Sequence, residues 1–147
     1  YAMWLFGKPR SIFAIGGHLS DLDINVEDSV QVLMKSGNIP IFIQLDYLQW
    51  PPKRNISIVG DMGSINCDLT SMIVEVNMRS SESIESHNFP NYNRNDLFID
   101  EMKNFLDFID GFANPAVNLS EGVDSLRIAL AAKESMESGK LIELSWS

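Results

Sequence analysis

Two histidines, one cysteine and a few basic and aromatic side chains carry the chemistry this sequence could do near neutral pH. His18 lies in the polar run His-Leu-Ser-Asp-Leu-Asp with no cysteine, second histidine or nucleophile in register. A triad or metal site needs such partners, so His18 reads as a solvated loop residue. Cys67 is alone and cannot close an intramolecular disulfide, and no Cys/His cluster has metal-ligand spacing.

Lys53 and Arg54 follow Pro51 and Pro52 directly in an otherwise acidic chain. Such a pair could hold an anionic substrate or a partner carboxylate, and it is also what a solvated strand end looks like. Gly-Asp-Met-Gly-Ser (60 to 64) is glycine-rich but lacks GxGxxG or GxxxxGK[ST] spacing, and strand-like runs flank it. With no helix N-terminus to receive a phosphate, it reads as a tight hairpin turn. His87, Tyr92 and Arg94 are the polar groups of a run (80 to 95) that could reach a ligand. Tyr47, Gln49, Trp50 and Tyr92 combine aromatic faces, which stack on sugar rings, with hydrogen-bonding groups. The expected substrate-binding set is Tyr47, Gln49, Arg54 and Tyr92. No nucleophile–base pair, carboxylate pair or metal cluster can be named, so no catalytic or metal residue is expected.

The elements that must position these groups follow from periodicity. Val26 to Leu69 reads as a meander of four strands, with turn clusters at Ser-Gly-Asn (36 to 38), Trp-Pro-Pro (50 to 52) and Gly-Asp-Met-Gly (60 to 63). In the first strand Val30, Val32 and Met34 share one face. In the second, Ile41, Ile43, Leu45 and Tyr47 share one face while Phe42, Gln44, Asp46 and Leu48 share the other. That mixed face suits either a partner or ligand surface or a half-solvated sheet. Pro51 and Pro52 remove ladder donors, so the strand carrying Tyr47 ends or bulges there.

Upstream, the first residues look like the last turns of a helix stopped by a left-handed Gly7 and by Pro9, and residues 11 to 17 form a strand. Downstream, 71 to 78 is a further strand and 80 to 95 a long loop. A helix capped by Asn95 follows, whose stripe Phe98, Met102, Phe105, Ile109 and Phe112 is expected to be core against the sheet. Asn118 and Glu121 form a capping box for a second helix that runs to Ser138 and stops at Gly139. A strand over 141 to 146 closes the chain. The expected class is α+β: an open, mostly antiparallel mixed sheet with helices packed on one face.

Composition bounds the function. The 147 residues suit one domain with a substantial core, and 45% hydrophobic against 21% charged residues is the balance of a chain that folds. A net charge of -9 and a pI near 4.5 exclude a nucleic-acid partner, which needs clustered Lys and Arg. No apolar run reaches the roughly 20 residues of a membrane helix, and no signal segment opens the chain. A cytoplasmic protein is expected.

Six segments in this order and spacing resemble the C-terminal domain of the Gfo/Idh/MocA family of NAD(P)-dependent oxidoreductases, which includes glucose-fructose oxidoreductase and inositol dehydrogenase. They are Trp-Leu-Phe-Gly-Lys-Pro (4 to 9), Val-Glu-Asp-Ser-Val (26 to 30), Leu-Asp-Tyr-Leu-Gln-Trp-Pro-Pro-Lys-Arg (45 to 54), Ile-Val-Gly-Asp-Met-Gly-Ser-Ile (58 to 65), Asp-Glu-Met-Lys-Asn-Phe-Leu (100 to 106) and the run 119 to 135. The resemblance implies that residues 1–147 are a single substrate and oligomerisation domain. The glycine-rich loop, Glu-Lys-Pro lysine and catalytic histidine of the family would then lie in a preceding Rossmann domain and the helix leading into Tyr1. It implies NAD or NADP in the parent and none bound by this piece, which would be inactive alone. It also implies a sugar, nucleotide-sugar or cyclitol substrate and a homo-oligomer formed through the sheet face. The rival expectation is a stand-alone carbohydrate-binding or regulatory module.

Overall fold

A computed structural model describes residues 1–146, and the chain divides into two compact units. The first comprises Tyr1–Leu48 together with the chain from Val117 onward; the second is Gln49–Ala116.

In the first unit, β1 (Ser11–Gly17) pairs antiparallel with β2 (Ser29–Ser36), β2 with β3 (Ile39–Asp46), and the two-residue β8 (Ile142–Glu143) with the start of β1. The strand order is β3-β2-β1-β8. Alternation places the rows Ile12–Met34–Ile41 and Ala14–Val32–Ile43 on one face, and these supply most of the core. Helix α3 (Leu119–Ser138) covers that face with Ala131, Ala132 and Ser135, small enough to bring helix and strand backbones close. β8 reaches only Ser11 and Ile12, and the Ala14 N–H beyond it donates to Ser135 Oγ at 2.9 Å. The same hydroxyl donates to the Lys140 carbonyl at 2.6 Å, so the buried Ala14 N–H and the part-buried Lys140 carbonyl are both satisfied. The expected capping box holds: Glu121 N–H donates to Asn118 Oδ1 at 3.0 Å, and Asn118 N–H to Glu121 Oε2 at 2.8 Å. Gly139 ends the helix in the left-handed conformation.

The opening helix α1 (Ala2–Phe6) also stops where expected, but Gly7, at φ 77° and ψ -173°, leaves it extended rather than in a left-handed turn. The Ser36 hydroxyl donates to the freed Phe6 carbonyl at 2.5 Å.

The second unit is a meander of β4 (Asn55–Gly60), β5 (Gly63–Asp68), β6 (Ile73–Met78) and β7 (Ser83–Asn88), followed by α2 (Arg94–Ile109). The fold is α+β with open antiparallel sheets, as expected; besides Gly7, and a closing strand of Ile142–Glu143 rather than 141 to 146, the details correct the sequence reading in four places. The Val26 to Leu69 meander is divided between two four-stranded sheets rather than one, with Pro51 and Pro52, which have no N–H to donate, falling between β3 and β4. The loop expected over 80 to 95 contains β7, paired along its length with β6. The cap of α2 is Asn93 rather than Asn95, with the Asp96 carboxylate accepting the Asn93 N–H at 2.8 Å. The apolar stripe of α2 is not core: Phe98, Met102, Phe105, Ile109 and Phe112 are all more than half exposed, and the helix buries none of its residues.

Gly63 is required by crowding. A Cβ there would lie 1.9 Å from the Asn77 carbonyl oxygen across the ladder. Gly16 is in the same position against Ser29, at 2.2 Å.

Candidate functional site

Of the expected binding residues, Tyr47 lies in the first unit and Gln49, Arg54 and Tyr92 in the second. Tyr47 leaves the end of β3 with its side chain 70% exposed, and its N–H donates to the Asp28 carbonyl at 2.9 Å. That bond sets it on the end of the sheet where β1 and β2 are joined by residues 18 to 28.

Within the second unit Gln49, Trp50, Lys53 and Arg54 are exposed ahead of β4. Tyr92 is half-buried after β7 and donates its hydroxyl to Asp100 Oδ2 at 3.2 Å. Burial, then the Asp100 carboxylate, pushes its phenol above the ordinary value, so it stays a neutral donor. Asn55 and Asn88 end the same cross-sheet row on opposite edges. Three strand spacings, roughly 14 Å, therefore separate the backbones that lead to Arg54 and Tyr92.

The remaining singled-out groups are placed as follows. His18 is exposed at the end of β1. His87 Nε2 lies 3.1 Å from Glu85 Oε1 on β7, both exposed. Arg94 is exposed at the first position of α2. The 60 to 64 turn is a hairpin closed by the Gly60–Gly63 pair and leads into β5, so it has no helix N-terminus and does not fit a dinucleotide phosphate. Among the described residues no group of three His, Cys, Asp or Glu side chains could hold a metal ion. No helix among them is long and apolar enough to cross a membrane.

Sequence reasoning missed a polar cluster in the first unit. Asp124 of α3 is buried, with Lys8 Nζ 2.5 Å and Arg127 Nη1 3.8 Å from its two oxygens. Both cations also lie over the Trp146 ring, at 5.1 and 5.5 Å from its centroid, and the indole N–H donates to the Pro9 carbonyl at 2.6 Å. The one local signal was Asp124 three residues before Arg127 on a helix face shared with Val123, Leu126 and Leu130. Beside this cluster runs an open groove of about 720 Å³ lined by Leu126, Leu130, Glu134, Leu144 and Trp146. The cluster neutralises its own carboxylate and fastens the C-terminal segment; it offers no free base.

A family model for the C-terminal alpha/beta domain of an oxidoreductase family matches residues 1–144. The chain belongs to the Gfo/Idh/MocA oxidoreductase family. Solved members share the fold of this Gfo/Idh/MocA domain at low identity. Levoglucosan dehydrogenase, in complex with NADH and levoglucosan, superimposes with a TM-score of 0.85 at 14% identity, covering 99% of this chain and 47% of that one. The WlbA dehydrogenase from Bordetella pertussis, in complex with NADH and UDP-GlcNAcA, gives 0.73 at 20% identity, covering 99% and 43%. WlbA from Chromobacterium violaceum, with the same ligands, gives 0.71 at 22%, covering 99% and 43%. The chain thus spans less than half the length of these solved relatives. No curated protein sequence matches it.

Proposed function

We propose that this chain is the substrate-binding and oligomerisation domain of an NAD(P)-dependent oxidoreductase acting on a hydroxyl of a sugar, nucleotide-sugar or cyclitol, and that it is inactive alone. The family match over residues 1–144 carries the reading. Relatives crystallised with NADH and a sugar or nucleotide-sugar support the substrate class. The nicotinamide, when bound by a separate Rossmann domain, supplies hydride transfer. The substrate contacts proposed for this chain are Tyr47 in the first unit and, taken separately, Gln49, Arg54 and Tyr92 in the second.

The second sheet face of the first unit supports self-association in a cytoplasmic homo-oligomer. Opposite the α3-covered face, the row Phe13–Leu33–Phe42 is apolar, and Leu33 and Phe42 are 54% and 60% exposed. A face of this kind is a candidate for burial against a like face.

Titrating NAD and NADP into residues 1–147 should give no saturable binding, and saturable binding would overturn the domain assignment. A second reading, a stand-alone carbohydrate-binding module, draws on Trp50 and Tyr47, which are 89% and 70% exposed. The reading frame upstream of Tyr1 separates the two: GxGxxG and Glu-Lys-Pro codons favour the oxidoreductase, and a start codon directly before Tyr1 favours the module.

A further inference from the structure

Asp28 is a buried carboxylate, 1% exposed, that none of the groups above accounts for. Its Oδ1 accepts the Leu19 N–H at 2.8 Å, and its Oδ2 accepts the Ser20 N–H at 3.0 Å and the Ser20 hydroxyl at 2.6 Å. The Ser20 oxygen in turn accepts the Leu22 N–H at 3.2 Å, carrying the order into the loop. At the other end of the loop Glu27 pairs with Lys133 of α3 at 2.8 Å. The backbone of Asp28 joins the strand ends, donating to Gly17 at 3.0 Å and accepting from Tyr47 at 2.9 Å. What this anchoring holds outward is a crest of aliphatic side chains, Leu19, Leu22, Ile24 and Val26, which are 67%, 43%, 37% and 47% exposed.

A buried carboxylate with three local donors fixes the loop that carries it, and an exposed aliphatic crest costs apolar hydration unless something covers it. We propose that Asp28 is a positioning residue for substrate: its carboxylate holds the crest Leu19 to Val26 on the same rim as Tyr47, so that affinity for the sugar depends on a side chain lying beneath the surface. This inference rests on the reading of Tyr47 as a substrate contact. The crest supplies an apolar wall for the carbon face of a ring, and Tyr47 supplies the aromatic face and hydroxyl.

The test uses the full-length protein, with NAD- or NADP-linked oxidation of a panel of sugars, nucleotide-sugars and cyclitols, levoglucosan and UDP-GlcNAcA among them, as the assay. Asp28→Asn turns one of the acceptor oxygens into an NH2 donor facing Ser20. Ser20→Ala removes only the relay hydroxyl and is the milder variant should the first fold poorly. Both should raise KM, Asp28→Asn by about tenfold, with kcat held within about twofold, and both should speed amide exchange at Leu22. A lowered melting temperature with unchanged KM would show a purely structural role and overturn the inference, as would unchanged exchange at Leu22. Tyr47→Ala separates the two levels. If it raises KM while Asp28→Asn and Ser20→Ala do not, the positioning inference alone fails. If it leaves KM unchanged, or if no member of the panel is oxidised by the wild-type protein with either cofactor, the substrate reading fails and takes the inference with it.

Discussion

Single side chains set the local energetics of the first unit. Ser135 is fully buried and serves two backbone groups, so Ser135→Ala orphans the Ala14 N–H and the Lys140 carbonyl at once. Urea unfolding should show a loss of about 1–3 kcal/mol, the cost of leaving the buried Ala14 N–H unpaired. Asp28 makes a prediction of opposite chemistry. The Ser20 hydroxyl first, and then the Leu19 N–H, hold its carboxyl below the ordinary range. Its contribution is therefore present in full above the unfolded value of about 3.9 and is lost as pH falls through the lower folded value. The stability gap between wild type and Asp28→Asn should be wide at pH 7 and close below about pH 4 in acid unfolding curves. A gap that widened on acidification would contradict the assignment. At this scale the sequence disclosed residue types but few partnerships. The Trp146 indole bonds to a carbonyl 137 positions away, and no local pattern encodes that pairing.

Whole elements were more legible, because alternation and caps are local. β2 and β3 follow from side chains that alternate between faces, β1 from a short apolar run ended by two glycines, and the Asn118–Glu121 box marks the start of α3 to the residue. β7 escaped because Ser83–Asn88 contains one aliphatic residue, Ile84, and an edge strand needs only its neighbour's backbone to form. The error over α2 has a different cause. Helical spacing of apolar residues reports which side of a helix is apolar, and says nothing about what lies against it. The contrast can be measured on the 147-residue chain. Ile12→Ala, at a site with no exposed area, should cost about 2–5 kcal/mol. Phe98→Ala, on the 57% exposed stripe of α2, should cost less than about 1 kcal/mol. Equal losses would mean that α2 is core after all.

For the molecule as a whole, the family assignment came from the order of six short segments, none specific alone, and the match over residues 1–144 agrees with it. The site was less readable than the fold. Tyr47 and the trio Gln49, Arg54 and Tyr92 fall in different units, a division that sequence spacing did not disclose. Self-association is tested directly at Leu33 in the exposed row of the first sheet. Sedimentation should show an oligomer for the wild-type chain and a shift towards monomer for Leu33→Glu, with the circular dichroism spectrum unchanged. A wild-type chain that stays monomeric at high concentration would rule the face out.

The clamp around Trp146 also provides an optical handle. Trp4 and Trp50 are 83% and 89% exposed, whereas the third indole is half-covered, sandwiched near two cations and tied to Pro9. Acrylamide, which is uncharged and so not drawn to Lys8 and Arg127, should quench the emission of the first two readily and leave a partly shielded remainder. Because that remainder comes from the segment after β8, its disappearance would report the peeling of that segment from α3 before the sheet itself melts.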